Sequence, residues 1–413
     1  MHNDNKPDFP LSIPRSEALF ILRACISPVR ETNVSVTECS GRISAESVVS
    51  GVSLPDHDRS AMDGFAVPSA ETAAATEKTP VTLSFGGEIR PSETVQSRAR
   101  EKCAIRVLTG GIVPSGTDAV IPFEKVHVRE DLMTIFGPAR KGDFIRSTGS
   151  DIMKGEPIVD AGSEISPCDA ALLAYAGIRT VSVRRRLAIS VLAVGNELCD
   201  PAMENVCGLI PADNLILLKS LCARAGIDNV KIAPCPNSPE AIAAAVNENS
   251  ACDLIITTGG TGPGNRDFVF NAVRSAGGTP VFKGLAMHPA KSVFACKTDS
   301  SVVIGLPGPP NAVNLAFHTI IRPVINILLG ARDISPMNTV LLKGPVKGAK
   351  DREKMRPCLI SEIQGQLIAD PLTSAGLSPR KVMSMSNGII VLPPGCGELQ
   401  AGETAAAIRY DRP

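Results

Sequence analysis

Asp253-Leu-Ile-Ile-Thr-Thr-Gly-Gly-Thr-Gly-Pro-Gly-Asn-Arg-Asp267 begins as an apolar run and ends in a glycine-rich turn. Residues 254–257 lack the polar alternation of a half-buried strand, so they read as a strand buried on both faces. The spacing predicts a helix over 267–275 directly afterwards. A strand that passes through glycines into a helix suits an anion: backbone N–H groups approach it closely, and the helix start adds partial positive charge. Gly259, Gly260 and Gly262 permit that approach, and Thr257, Thr258 and Thr261 add hydroxyl donors. Arg266 offers a partner for a phosphate, and Asp267 closes the loop. An ordinary tight turn between strand and helix would use the same residues.

Working outward, residues 187–194 and 302–305 read as further buried strands. Helices are predicted over 214–225, 239–247 and 311–329, the last interrupted by Pro323. Strands alternating with helices imply βαβ units and a mostly parallel sheet covered on both faces. The fold class is α/β and multidomain, with a central three-layer domain and smaller mainly-β domains. Short β-like runs at 81–85, 104–108, 119–122 and 133–136 make one of these. Runs at 339–343, 366–369, 388–392 and 404–408 make another. Helices are also predicted over 16–26 (Ser16 as N-cap), 36–48 and 166–176, with a strand at 180–183.

Two more strand ends carry polar residues. Glu197 follows the strand 187–194 and suits either Mg²⁺ and ligand amides or a turn. Asp213 and Asn214 open a helix, as a cap or as ligand contacts. Pro307 and Gly308 form a rigid loop before the long helix. Elsewhere, Asp58-Arg-Ser-Ala-Met-Asp-Gly-Phe65 sets Asp58, Ser60 and Asp63 in an aperiodic loop, and Gly149-Ser-Asp-Ile-Met-Lys-Gly155 places Asp151 in another.

Composition narrows the function classes. The 413 residues suffice for several domains. Lys plus Arg balance Asp plus Glu at 42 each, and aromatics are 3%, so neither a basic field nor a stacking platform points to nucleic acid. No apolar run approaches the roughly 18 residues of a membrane span. The polar start Met1-His-Asn-Asp-Asn-Lys has no signal-peptide core, which makes the cytoplasm the expected location. Twelve Cys form no Cys-x-x-Cys pair, and the five His form no metal-binding pattern; reduced, mostly buried thiols are expected.

Taken together, these segments resemble the molybdopterin molybdenumtransferase family, the bacterial MoeA type related to the E domain of gephyrin. The segment 58–67 and the block Arg106-Val-Leu-Thr-Gly-Gly-Ile-Val-Pro-Ser-Gly-Thr-Asp-Ala-Val-Ile121 carry the resemblance, which runs from about 12 to 408 in one order. It implies a molybdopterin-binding α/β domain over 184–330 and a small mainly-β domain over 51–139. It also implies a linker and dimerisation domain from 1–50 and 140–183, and a C-terminal β-barrel-like domain over 331–413. It implies a homodimer whose active site lies between the α/β domain of one subunit and the 58–63 segment of the other. The implied reaction inserts molybdate into adenylylated molybdopterin with release of AMP, assisted by Mg²⁺, and a molybdopterin adenylyltransferase is an implied partner. Asp58, Asp151, Glu197, Asp213 and Asp267 match the acidic catalytic positions, Glu197 and Asp267 at the metal. Ser60, Asp63, Asn214, Thr258, Gly259, Gly260, Thr261, Gly262, Arg266, Lys291, Pro307 and Gly308 match substrate-binding positions.

The chain departs from the family pattern in four loops: Thr261-Gly-Pro-Gly264, Asn196, His288-Pro-Ala-Lys-Ser292 and Pro309. His288 replaces a lysine of the family motif and is largely neutral at pH 7. The alternatives these changes raise are a paralogue using another oxyanion (tungstate) or performing adenylyl transfer, and a non-catalytic molybdopterin-binding scaffold.

Overall fold

The computed structural model describes residues 8–89, 103–203, 208–260, 268–332, 337–372 and 376–410. Its centre is a seven-stranded sheet in the order Leu11–Ile13, Thr279–Leu285, Phe294–Lys297, Val302–Leu306, Leu254–Gly259, Ile189–Val194, Val230–Cys235. Only Phe294–Lys297 runs against its neighbours. Leu254–Gly259 is an interior strand, with Ile256 opposite Val191 on one side and Ile304 on the other. Successive residues point to opposite faces, so each strand feeds two cores. Val191, Ile256 and Ile304 face helices Arg15–Cys25 and Asp213–Arg224 and the long helix that starts at Pro310. Leu192, Ile255 and Val303 face helices Pro239–Glu248 and Phe268–Ser275. Two covered faces explain why these strands are apolar without alternation.

The N-terminal segment corrects an expectation. The family resemblance groups residues 1–50 with 140–183, but Leu11–Ile13 pairs in parallel with Thr279–Leu285 in the α/β sheet. Helix Arg15–Cys25 buries Ala18 and Leu22 in the same core. Its apolar stripe finds a larger apolar surface there than the linker offers. The rest of that segment does pair with 140–183: Glu31–Ser35 with Thr180–Arg184, and Val48–Val49 with Pro157–Val159.

The helix expected over 36–48 does not form. Val36–Glu38 makes a single 3₁₀ turn, and Gly41 adopts φ +75°. Gly41 N donates to Ile165 O and Ile165 N to Arg42 O, so the backbone is used in cross-chain bonds. The long helix does continue through Pro323, as Pro310–Ala316, a π turn Phe317–Ile321, and Arg322–Leu328. The π turn lies where the proline ring would clash with the Thr319 carbonyl of a regular α-helix.

Six strands, including Gly64–Val67 and Cys103–Val107, surround a small core containing Phe65, Leu83 and Met133. Towards the C-terminus, Glu353–Ile363, Gln366–Pro371, Asn338–Leu342, Thr404–Arg409 and Gly388–Leu392 form a sheet. Its last strand pairs back onto its first, which closes a barrel and leaves no free edge in that ring. Arg15 clamps the barrel to the N-terminal helix through two bonds to Glu353, at 2.8 and 2.9 Å. No helix among the described residues is long and apolar enough to cross a membrane.

Candidate active site

The carboxyl ends of Ile189–Val194, Leu254–Gly259 and Val302–Leu306 open into a cavity of about 870 Å³. In an open α/β sheet this is where a ligand lies, because the loops leaving the strands diverge there. One side chain ties two of these strand ends to a helix. Asn214, buried at the start of helix Asp213–Arg224, donates through Nδ2 to Thr258 Oγ1 (3.0 Å) and to Gly308 O (2.8 Å). Thr258 Oγ1 in turn donates to Pro307 O (2.9 Å). The helix cap is Ala212 and not a polar side chain, so Asn214 acts between loops and not as a cap. Asn214 Oδ1 and Thr257 Oγ1 are buried without a hydrogen-bond partner among the described residues.

Gly259 and Gly260 line the cavity with positive φ, +89° and +63°. A Cβ at Gly259 would lie 2.5 Å from Val194 O, and one at Gly260 would lie 2.7 Å from a methyl of Val269. Backbone conformation and space both demand glycine there. Thr261, Gly262, Arg266 and Asp267 lie outside the described residues.

The rim is cationic, and its charges come from two places. Lys291 and His288 lie between two strands of the central sheet, where Met287–His288 pairs in parallel with Glu353 and Lys354 of the barrel. Arg356, on the barrel strand Glu353–Ile363, and Arg380, on helix Pro379–Met385, come from the barrel. Arg380 Nε meets Asp213 Oδ2 at 2.6 Å, and the Asp213 carboxylate raises the Arg380 pKa further. Asp213 is therefore held by an arginine across the cavity. His288 is pushed below the usual imidazole range by desolvation and by the charges of Arg356, Lys354 and Arg352. It is a neutral ring among fixed positive charges. Glu197 reaches the cavity as an exposed carboxylate folded over Gly195, where a Cβ would lie 2.8 Å from its oxygens.

Asp58, Asp63 and Asp151 lie elsewhere, and none of the three lines this cavity. Asp58 Oδ1 accepts from Thr148 N (2.8 Å) and Thr148 Oγ1 (3.0 Å). Asp63 accepts from Thr109 N (2.6 Å) and Thr109 Oγ1 (2.7 Å), and these bonds hold its carboxyl below the usual carboxylate range. Asp151 is gripped by Arg146 at 2.7 and 2.5 Å. Ser60 is buried, and its backbone accepts from Gly110 N and donates to Gly111 O. Within one chain the site residues thus form two groups: a cavity group with Glu197, Asp213, Asn214, Thr258, Gly259, Gly260, Lys291, Pro307 and Gly308, and a loop group with Asp58, Ser60, Asp63 and Asp151. Sequence reading missed Arg356 and Arg380. They lie in segments without helical or strand periodicity strong enough to place them, and only barrel closure brings them to the rim.

Among the described residues, no three His, Cys, Asp or Glu side chains converge to hold a metal. The eleven described cysteines are all free thiols.

Three family models match the chain in order: the MoeA N-terminal region (domain I and II) over 13–177, the probable molybdopterin binding domain over 190–326, and the MoeA C-terminal region (domain IV) over 339–410. The molybdopterin molybdenumtransferase of Haemophilus influenzae is 30% identical over 385 residues, covering 91% of this chain and 93% of the relative. That of Bacillus subtilis is 27% identical, covering 91% and 89%. The crystal structure of a molybdopterin biosynthesis MoeA protein from Pyrococcus horikoshii superposes with a TM-score of 0.81 at 25% identity, covering 97% of this chain and all of that one.

Proposed function

Since the chain belongs to the molybdopterin molybdenumtransferase family and is a transferase of molybdenum-cofactor biosynthesis, we propose that its main cavity binds adenylylated molybdopterin and that molybdate is inserted there with release of AMP. The observation that carries this reading is the convergence of glycine backbone, Lys291, Arg356 and Arg380 at the carboxyl ends of three parallel strands. The backbone N–H groups of Gly259 and Gly260 suit the phosphates of the pterin nucleotide, and Thr261, Gly262 and Arg266 follow them in sequence as further candidate donors. Lys291 and Arg356 supply fixed charge for an oxyanion, and in a cavity partly shielded from water that charge is worth more than on an open surface. A positive rim also stabilises the negative charge that develops as a phosphoanhydride breaks.

Glu197 and Asp267 are the residues that would hold Mg²⁺. The donor set fits this ion in kind, since Mg²⁺ is commonly held by one or two carboxylates together with substrate phosphates and water, and Glu197 is exposed at the cavity. Bound there, Mg²⁺ would screen phosphate charge during cleavage. Asp213 serves differently, as the anion that positions Arg380.

The loop group of Asp58, Ser60, Asp63 and Asp151 completes the site in this reading when a second copy of the chain presents it to the cavity, in a homodimer. Its own-chain bonds to Thr148, Thr109 and Arg146 preset the loop for that role.

Purified protein with adenylylated molybdopterin, Mg²⁺ and either molybdate, tungstate or neither separates the readings. Molybdate-dependent AMP release is the expected outcome. Release only with tungstate would replace the oxyanion. Pterin binding without AMP release under any condition would overturn the reaction.

A further inference from the structure

A second cavity, of about 780 Å³, lies at the other end of the central sheet. Arg184, Arg185, Arg186 and Leu187 line it just before the strand Ile189–Val194 begins, whereas the main cavity lies where that strand ends. The two share no lining residue. Among the described residues, eight arginines line the second cavity, against two carboxylates, Glu164 and Asp228. Four of the eight have an acidic partner: Arg185 has Asp253, Arg186 has Asp228, Arg332 has Asp160, and Arg409 has Glu362. The other four, Arg42, Arg184, Arg224 and Arg322, have no ion pair within 4 Å among the described residues. Two of them are anchored on neutral oxygens, Arg42 Nη2 on Arg184 O (2.7 Å) and Arg184 Nη1 on Val29 O (3.3 Å).

These charges are crowded, and the carboxylates that oppose them stand outside ion-pair distance. Desolvation pulls the Arg322 pKa down, and only Glu164 opposes it. Arg42 is lowered by desolvation and by Arg186, with Glu38 opposing. His318, on the π turn, is driven down to about 4 by burial and then by Arg322 and Arg224, so its ring stays neutral. That ring stacks on Tyr410 at 4.1 Å and 8°, giving the cavity a flat wall beside its cations. Holding several guanidinium groups in one partly desolvated cavity costs free energy unless an anion enters. The fork of a guanidinium matches phosphate oxygens two at a time.

We propose that this cavity binds a small di- or triphosphate, free or carried on a nucleoside, at a site separate from the main cavity, with Arg42, Arg224 and Arg322 as its principal contacts. The size suits a small molecule. The inference is independent of the reaction proposed above, because no residue of one cavity serves the other.

Calorimetric titration of the full chain with pyrophosphate, tripolyphosphate, ADP and citrate tests it, on wild type, on R224Q/R322Q and on K291Q/R356Q, which disables the main cavity. Saturable pyrophosphate binding is expected to persist in K291Q/R356Q and to weaken by at least about tenfold in R224Q/R322Q, as befits two lost charge-assisted contacts. Binding should weaken as salt rises. ADP binding more tightly than pyrophosphate, with both lost in R224Q/R322Q, supports a nucleoside-borne phosphate; equal binding supports the free anion. Should R224Q/R322Q fail to fold, R224Q alone and R42Q alone, both nearer the surface, are each expected to weaken binding. Unchanged affinity in the folded variants would overturn the proposal. So would loss of all binding in K291Q/R356Q, no saturable binding in wild type, or citrate binding as tightly as pyrophosphate.

Discussion

Replacing Asn214 by Ala should loosen the carboxyl ends of two strands at once. Its amide donates to Thr258 Oγ1 and Gly308 O, and the residue is 8% exposed. Each hydrogen bond contributes about 1 kcal/mol net, and a buried group left without its partner costs about 1–3 kcal/mol. Thr258 Oγ1 keeps its donation to Pro307 O, so the larger penalty falls on the Gly308 carbonyl. The expected loss is therefore about 2–4 kcal/mol for opening this end of the sheet. Asn214→Asp should cost more at neutral pH. It has the same shape, but its ionised carboxylate has no proton for either acceptor and faces a carbonyl oxygen. Burial would raise that carboxyl's pKa, so the excess cost should shrink as the pH falls. Amide hydrogen exchange across Leu254–Gly259 and Val302–Leu306 is the assay. A loss of 2–4 kcal/mol corresponds to exchange roughly 30 to 900 times faster where opening is at equilibrium. A double-mutant cycle with Thr258→Val should show a coupling of about 1 kcal/mol. Exchange within about threefold of wild type in Asn214→Ala, against the change expected above, would refute the idea that this amide fastens the loops, as would an Asn214→Asp variant no weaker than Asn214→Ala at pH 8.

Three further outcomes follow from other sites. Asp253 is buried, paired with Arg185 and accepting from Ala188 N at 2.9 Å; Asp253→Ala should destabilise the α/β unit by about 2–3 kcal/mol in urea unfolding, since Arg185 can still reach water, and a change under about 0.5 kcal/mol would sink this. His318 has a folded pKa of about 4, below its unfolded value of roughly 6.5, so above pH 6.5 it contributes nothing to the pH dependence, and as pH falls towards 4 the unfolded chain takes up a proton that the native ring refuses. Wild type should thus lose up to about 3 kcal/mol over that window, and His318→Gln should show a flatter stability profile across it; parallel profiles would contradict the assignment. Glu197→Gln and Asp267→Asn should each lower AMP release by about a hundredfold or more while the circular dichroism stays that of wild type, and wild-type turnover in both would remove these carboxylates from the site.

Much of the fold is legible because it is written in local periodicity. The strands at 119–122 and 388–392 fall where the sequence places them, and Ser166 caps helix Pro167–Tyr175 with Asp169 as its reciprocal partner. Where local preference is weak, distant partners decide. The segment after Val36 contains β-branched residues, a Ser and a Gly, so its helical signal yields to pairing with Ile165 and Glu164. The site follows the same division. Glycines at 259 and 260 announce a backbone that must have positive φ and close packing, and that requirement is visible one residue at a time.

The α/β core, the loops at the carboxyl ends of its strands and the family could all be read from the chain, because apolar runs, glycine turns and short motifs are properties of adjacent residues. Tertiary structure alone decided which charges meet. Arg380 reaches Asp213 across 167 positions, Asn214 reaches Gly308 across 94, and eight arginines from separate segments line the second cavity. The glycine-rich stretch at 253–267 thus marks one wall of the site, while the barrel supplies the cations opposite. Electrostatic fields act through space and not along the chain, so their sum is fixed only when the chain has folded.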